Sequence, residues 1–204
     1  MDDGREEVEN KIIKAATKVF IANGYKGATM RNIATEANIN LAMLNYYFRS
    51  KDNLFDIIFD QAFGQIYGSM FISLSGDKCV FEKIRDLVSS YITVLLENPS
   101  LPNFIFSEIA INPDRLTKKL NQKKELFKIF DEFQKQIDNE VISGKMKPFS
   151  FLELFLNIES LCAFPFIVQP MLKKVFNVSD KNYTAILKHR KTSVADLLIN
   201  GLKI

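Results

Sequence analysis

The chain has little of several residue types on which enzymes and secreted proteins depend. Its 204 residues include no tryptophan, one histidine and two cysteines. Cys79 and Cys162 lie far apart in sequence without a CxxC pair, which is typical of a reduced protein rather than a disulfide scaffold. His189 stands in a run of basic residues, where a solvated surface role is expected. Because no metal-ligand cluster, nucleophile–base pattern, glycine-rich phosphate loop or dinucleotide fingerprint occurs, we predict no catalytic residue, no metal and no cofactor.

Long apolar runs are also missing. The longest one, Leu161 to Val168, is too short to span a bilayer and contains Pro165. The first ten residues are acidic, which excludes a secretory signal peptide. We therefore expect a soluble cytoplasmic protein with no membrane partner. The net charge of +3 is only mildly basic, so composition alone does not suggest a nucleic-acid partner.

What the sequence does contain is apolar residues at helical spacing along nearly its whole length, and no strand pattern. At 47% hydrophobic residues the chain can bury a sizeable core. The fold class predicted is all-α. Helices are expected at Glu6 to Ala22, Thr29 to Ala37, Leu41 to Phe48, Lys51 to Tyr67, Val80 to Glu97, Phe104 to Ile111, from Pro113 onward, Leu126 to Ile142, Phe151 to Leu172 and Tyr183 to Leu202.

The segment from Thr29 to Lys51 predicts two short helices joined by a tight turn. Thr29 can cap the first helix, and the Asn38-Ile39-Asn40 stretch suits the turn because asparagine side chains bond nearby backbone. Leu44 and Phe48 form the buried pair of the second helix. A helix-turn-helix of this kind places its second helix in the DNA major groove.

Together with its flanks, this segment resembles the N-terminal domain of the tetracycline-repressor (TetR) family of transcriptional regulators. The matching stretches are AATKVFIANGYKGATMRNIATEANI, residues 15–39, and LNYYFRSKDNLF, residues 44–55. The resemblance covers roughly residues 8–60, and the remainder matches only in length and helicity. It implies a three-helix helix-turn-helix DNA-binding domain, residues 1–55, followed by a larger helical effector-binding and dimerisation domain, residues 56–204.

The residues expected to contact DNA flank or belong to the recognition helix. Small and apolar groups at its start can meet thymine methyl groups, whereas Asn45 can form hydrogen bonds with a base edge. Asn45 departs from the family, in which this position is often a tyrosine, and the family analogy favours Tyr47 as a phosphate contact. Lys51 begins the next helix, where its charge and free backbone N–H groups suit a phosphate. The full set is Thr29, Arg31, Leu41, Ala42, Met43, Asn45, Tyr46, Tyr47 and Lys51.

Eighteen phenylalanines suggest a second site in the larger domain, an apolar pocket for a small hydrophobic effector. A plain hydrophobic core is the competing interpretation of the same residues. The predicted lining is Tyr67, Phe71, Tyr91, Phe104, Ser107, Glu108, Phe130, Asn157 and Phe164, with Glu159 a further polar candidate. Pro165 and Pro170 would kink or end the helix that begins at Phe151.

The last two helices carry the expectation of a homodimer. Phe151 to Leu172 is apolar on nearly every side, which predicts burial on more than one face, and Tyr183 to Leu202 is amphipathic. In the TetR family such a pair forms a four-helix bundle with its twin. The sequence thus predicts a ligand-responsive regulator, a repressor that binds a palindromic operator in double-stranded DNA as a homodimer. The alternative is a helical small-molecule-binding or protein-interaction module with weak or lost DNA binding.

Overall fold

The computed structural model describes residues 3–121 and 124–204, which form eleven α-helices and no β-strand apart from an isolated bridge between Met146 and Lys203. The all-α class is confirmed. The helices are α1 Asp3–Gly27, α2 Met30–Glu36, α3 Leu41–Phe48, α4 Lys51–Leu74, α5 Val80–Glu97, α6 Leu101–Ile111, α7 Pro113–Asn121, α8 Lys124–Ile142, α9 Phe151–Ile167, α10 Gln169–Val175 and α11 Asp180–Leu202.

The chain divides into two compact units. Unit 1 comprises the chain up to Gly64 together with Asn103–Pro113, and unit 2 comprises Gln65–Pro102 and Asp114–Ile204. Helix α4 is continuous across Gly64, so its two halves belong to different units. The functional boundary predicted after residue 55 stays a prediction.

Unit 1 is built on an aromatic core. Phe55 of α4 meets the ring of Phe20 edge-on at 4.9 Å, the ring of Tyr25 at 4.9 Å and that of Phe104 at 5.4 Å. Phe104 therefore lies in the core of unit 1. Around these rings the buried residues include Ile12, Ala16, Ile33, Ala34, Leu44, Leu54, Ile58 and Phe59.

Gly24 interrupts α1 before its nominal end. Its backbone has φ 64° and ψ 174°, a region open almost only to glycine. The predicted positive φ at this glycine is confirmed, but ψ differs from that of an ordinary left-handed helix cap. The break redirects the chain so that Tyr25 packs back on Phe20 and Phe55.

Unit 2 is organised around α5, which packs against α11, α9 and α8. Tyr91, Ile84 and Val88 of α5 are fully buried at these contacts. Arg85 of α5 donates to Asp196 of α11 at 2.6 Å, and Gln134 of α8 accepts a hydrogen bond from the backbone N–H of Phe151 at 2.7 Å. The last contact satisfies one of the N–H groups that begin α9.

The helix predicted at Phe151 to Leu172 is two helices. Pro165 has no N–H to donate to the carbonyl of Leu161, and the axis bends by 65° between α9 and α10. Side chains of α11 supply hydrogen bonds at this break. The Arg190 guanidinium donates to the Leu161 carbonyl at 2.7 Å, and the Tyr183 hydroxyl donates to the Pro165 carbonyl at 2.7 Å. The carbonyl that the proline leaves open and a carbonyl in the last turn of α9 are thus satisfied by side chains of another helix.

The prediction that α9 is buried on more than one face is wrong for the single chain. Leu154, Ile158, Cys162 and Phe166 are buried, but the opposite side exposes more than half of each of three large apolar side chains, Leu152, Leu156 and Phe164.

The described residues contain no single helix that is long and apolar enough to cross a membrane. The bent pair formed by α9 and α10 meets the same length and composition test only when its two helices are taken together.

Candidate nucleic-acid interface

Helices α2 and α3 form the predicted helix-turn-helix, and side-chain caps fix both of their starts. The Thr29 hydroxyl accepts from the Asn32 N–H at 3.1 Å, and the Asn40 side chain accepts from the Met43 N–H at 2.7 Å. Asn38, in the turn between them, takes φ 51°, a conformation that asparagine tolerates better than most residues. The two caps and the asparagine in the turn together define where α2 ends and where α3 begins.

One side of α3 is fixed in the core and the other faces outward. Leu44 and Phe48 are buried, one helical turn apart, and α3 packs against α2. Ala42, Asn45 and Tyr46 are exposed on the opposite side. The exposed side presents one amide and one phenol hydroxyl, groups that can hydrogen-bond to base edges or phosphates.

The remaining predicted contacts of α3 are half-buried. Leu41 and Met43 at its start and Tyr47 near its end each retain part of their surface. The Tyr46 and Tyr47 rings meet at right angles with centroids 5.4 Å apart. This contact restrains both phenols near the end of the helix.

Thr29 and Arg31 are both exposed before and within α2. The Thr29 hydroxyl already takes part in two hydrogen bonds, because it accepts from the Asn32 N–H and donates to the Asn32 side-chain oxygen at 2.8 Å. Its structural role is therefore that of a helix cap. The contact of Arg31 with DNA stays a prediction.

Lys51 has a role in unit 1 that the sequence pattern did not indicate. Its ammonium donates to the Tyr25 carbonyl at 3.0 Å and to the Ala28 carbonyl at 3.1 Å, and lies 4.3 Å from the centre of the Tyr25 ring. Two of its three N–H groups thus hold the chain between α1 and α2. The remaining N–H of the ammonium is what it can offer a phosphate.

The residues predicted to bind an effector do not form one group. Tyr67, Phe71, Tyr91 and Phe130 belong to unit 2. Tyr67 and Tyr91 are buried, whereas Phe71 and Phe130 are half-buried with ring centroids 5.6 Å apart. Asn157 and Phe164 are exposed on α9. Phe104, Ser107 and Glu108 lie on the stretch of α6 that clusters with unit 1, where Ser107 is exposed and Glu108 is buried.

Glu159 lies at the centre of the polar part of unit 2. Its Oε2 accepts a hydrogen bond from the Tyr91 hydroxyl at 2.7 Å, and the Tyr67 hydroxyl is a second donor to the same carboxylate. Burial raises the pKa of Glu159 to about 7, although the two tyrosine hydrogen bonds work in the opposite direction. Burial also raises the pKa of Tyr67 and of Tyr91, so both phenols remain neutral donors.

Sequence reasoning missed Arg190 as a partner of α9. A signal was present, because Pro165 four residues after Leu161 leaves the Leu161 carbonyl in need of a donor. Only the fold could show that the donor comes from α11.

Comparison with known proteins agrees with this geometry. Residues 12–58 match the family of bacterial regulatory proteins named for tetR, at its N-terminal domain. Residues 12–58 are therefore similar to the DNA-binding domain of that family. The match spans the described residues from the middle of α1 to the first turns of α4, and so contains the whole helix-turn-helix.

The similarity to known HTH-type transcriptional regulators extends beyond this domain. YttP of Bacillus subtilis, named as a probable HTH-type transcriptional regulator, is 23% identical over 174 residues, covering 82% of this chain and 81% of its own. IcaR of Staphylococcus aureus, the negative transcriptional regulator of the biofilm operon icaADBC, is 27% identical over 141 residues, covering 65% of this chain and 75% of its own.

A solved structure shows the same fold over almost the whole length. The TetR family transcription regulator from Marinobacter aquaeolei VT8 superimposes with a TM-score of 0.63 at 19% identity, covering 96% of this chain and 97% of that one. The helical fold is therefore shared with that regulator at low sequence identity.

Proposed function

We propose that this TetR-type regulator is a repressor that binds a palindromic operator as a homodimer and is released by a small effector. The observation that carries the proposal is the outward side of α3, where Ala42, Asn45 and Tyr46 are exposed while Leu44 and Phe48 anchor the helix. A helix held in this way presents its free side to the major groove. The negative regulation named for IcaR supports repression.

Exposed apolar side chains of α9 and α11 support the homodimer. Half or more of each of these side chains is exposed: Leu152, Leu156 and Phe164 on α9, and Ile186 and Leu197 on α11. Ile186 and Leu197 are eleven residues apart, close to three full helical turns, so they lie on one side of α11. Exposed apolar patches of this kind mark association surfaces, and a second copy of the chain can supply the matching surface.

The proposed release by an effector uses α4. This helix carries both Lys51, which holds the helix-turn-helix, and Tyr67, which donates to Glu159 in unit 2. An effector that binds beside Tyr67 more tightly in one position of α4 would favour that position. The ratio of its affinities for the two positions limits how much it can change the affinity for the operator.

The salt dependence of binding to random-sequence duplex tests the DNA-binding part. Each phosphate that the protein neutralises steepens the slope of log affinity against log salt by about 0.9. A steep negative slope is expected for the wild-type protein. A flat slope with a folded protein would contradict the proposal.

The second candidate is a helical binding module that does not bind DNA. It is favoured by the exposed carboxylates Glu6 and Glu7 near the start of α1 and by the two carbonyls that occupy the Lys51 ammonium. Both features reduce the positive charge available to DNA. The flat salt slope would select this candidate.

A further inference from the structure

The carboxylate of Glu159 has one oxygen whose hydrogen-bonding capacity is unused. Oε2 accepts from Tyr91 at 2.7 Å, whereas Oε1 is buried and has no hydrogen-bond partner among the described residues. A buried carboxylate oxygen without a donor costs free energy, and the great majority of such groups in folded proteins are satisfied. Oε1 can therefore accept a further hydrogen bond from an N–H or O–H group outside the chain.

We propose that Glu159 anchors a protonated amine carried on an apolar body, so that Oε1 accepts a hydrogen bond from the ammonium. This inference rests on the proposed effector site and names the chemical class of its ligand. It also places the polar end of the ligand at one residue, which makes the inference testable independently of DNA.

A row of aromatic rings leads away from Glu159. Phe151, Phe155 and Glu159 are spaced four residues apart on α9 and share one side of that helix. The Phe155 ring lies 6.5 Å from the Tyr67 ring and 6.1 Å from the Phe151 ring, and Phe151 lies 4.7 Å from Phe130. Rings along such a row bury an apolar body, and their faces attract a cation.

The row is less buried at its far end than at Glu159. Phe151, Phe155 and Phe130 are half-buried, whereas Glu159, Tyr67 and Tyr91 are buried. The carboxylate therefore lies at the inner end of the row, and the less buried rings lie at the outer end. This order, with rings at the outer end and a carboxylate at the inner end, matches a molecule with an apolar body and one charged end.

Charge distinguishes an amine from other ligands here. The groups that face the carboxylate from neighbouring elements are the Tyr67 and Tyr91 phenols from α4 and α5, and Cys162 on its own helix, whose thiol pKa is raised to about 12 by burial. All three are neutral at physiological pH. Arg190 of α11 acts electrostatically on Cys162, but its guanidinium donates to the Leu161 carbonyl. An anionic ligand such as a fatty acid would meet an unshielded carboxylate and be repelled.

The test compares three probes of the same shape by isothermal titration calorimetry at pH 8: phenylbutylamine, the neutral phenylbutanol and the anion phenylbutyrate. We expect the amine to bind the wild-type protein at least about tenfold more tightly than the alcohol, and the anion to bind most weakly. Glu159→Gln should remove the preference for the amine. The matched control Glu153→Gln, an exposed carboxylate on the same helix, should keep it.

The wild-type protein provides a second test that needs no variant. Because the pKa of Glu159 is about 7, its ionised fraction rises about tenfold between pH 6 and pH 8, and the affinity for the amine should rise by the same factor while that for the alcohol stays constant. Equal affinities for amine and alcohol at pH 8, or an unchanged amine preference in Glu159→Gln, would overturn the inference.

Binding to DNA separates this inference from the proposed function. If phenylbutylamine binds as described but leaves DNA affinity unchanged, the amine site stands and release by an effector fails. If the amine shows no preference over the alcohol while the protein binds DNA with a steep salt slope, the amine site fails and DNA binding stands.

Discussion

At the scale of single residues, Glu159 couples the stability of the protein to pH. Its pKa is raised from 4.5 to about 7 in the folded protein, so between these values the folded state binds more protons than the unfolded state. The free energy of unfolding should therefore fall as pH rises from about 4.5 to about 7 and level off above that. The expected loss is on the order of 3 kcal/mol, measured by urea denaturation at pH 5 and pH 7.5.

Glu159→Gln removes the titrating group and keeps its shape, so this variant should lose that pH dependence. Glu153→Gln, exposed on the same helix, should retain the wild-type slope. An equal slope in wild type and Glu159→Gln would show that another group is responsible.

Asn45 and Lys51 should differ in what their loss does to DNA binding. Asn45 is exposed on α3, so Asn45→Ala should leave the melting temperature unchanged and alter the preferred base.

Lys51→Ala deletes two hydrogen bonds to the chain between α1 and α2 and should destabilise unit 1 by about 1–3 kcal/mol. It should also weaken binding to all sequences alike. Calorimetry and binding to a panel of duplexes measure both; unchanged binding in both variants would mean that α3 does not face DNA.

Local roles at this scale were predictable from sequence, and distant ones were not. Thr29 caps α2 as predicted, because a cap bonds an N–H only a few residues away. The partners of Lys51 lie 26 and 23 residues earlier in the chain, so only the fold could bring them together.

At the scale of elements, the break in α1 depends on one glycine. A Cβ at Gly24 would touch nothing within 4 Å, so the cost of Gly24→Ala comes from the backbone alone, with φ 64° and ψ 174°. We expect a loss of about 1–3 kcal/mol in thermal or urea unfolding. Gly64→Ala, also without a close neighbour but inside α4, should instead stabilise by up to about 1 kcal/mol. Equal effects of the two changes would contradict this account of α1.

The break between α9 and α10 leads to a prediction for Arg190. Arg190→Met removes the donor to the Leu161 carbonyl and should destabilise the protein by about 1–3 kcal/mol. Pro165→Ala restores an N–H four residues after Leu161, so the same Arg190→Met change should cost less in that background. A double-mutant cycle of unfolding free energies measures this coupling. Strictly additive effects would mean that Arg190 does not compensate for the proline.

The sequence predicted the positions of the helices well and the residues at which they end less well. Pro165 indicated a kink, yet the sequence could not decide whether the helix would bend or stop. It stops at Ile167 and resumes at Gln169 because α11 supplies partners for the open carbonyls. Helix α6 begins three residues earlier than expected, at Leu101, because Pro102 fits a first helical turn.

At the scale of the whole molecule, the exposed apolar side of α9 and α11 should be the dimer interface. Leu156→Arg and Leu197→Arg should convert the protein to a monomer, because a charge at the centre of an apolar interface cannot be solvated. Analytical ultracentrifugation measures the change. Ile72→Arg, at another exposed apolar residue on α4, is the control and should leave the dimer intact. A dimer that survives both interface changes would place association elsewhere.

The sequence of the larger unit predicted helices and an apolar interior but not the grouping of its residues. Tyr67 and Tyr91 lie 24 residues apart and converge on Glu159 through the packing of three helices. Phe104 and Glu108 were assigned to the same predicted pocket, yet they cluster with unit 1. Apolar periodicity shows which side of a helix is buried and not which helix covers it.

The most direct test of the account is selection of bound duplexes from a random DNA pool, using the purified full chain at two salt concentrations. A dimer with α3 in the major groove predicts enrichment of a palindromic motif, with half-sites about one duplex turn or 34–36 Å apart. The enriched set should be recovered at both salt concentrations and bound less tightly at the higher one. Failure to enrich any motif, with the protein folded and dimeric, would contradict the central claim and favour the helical binding module.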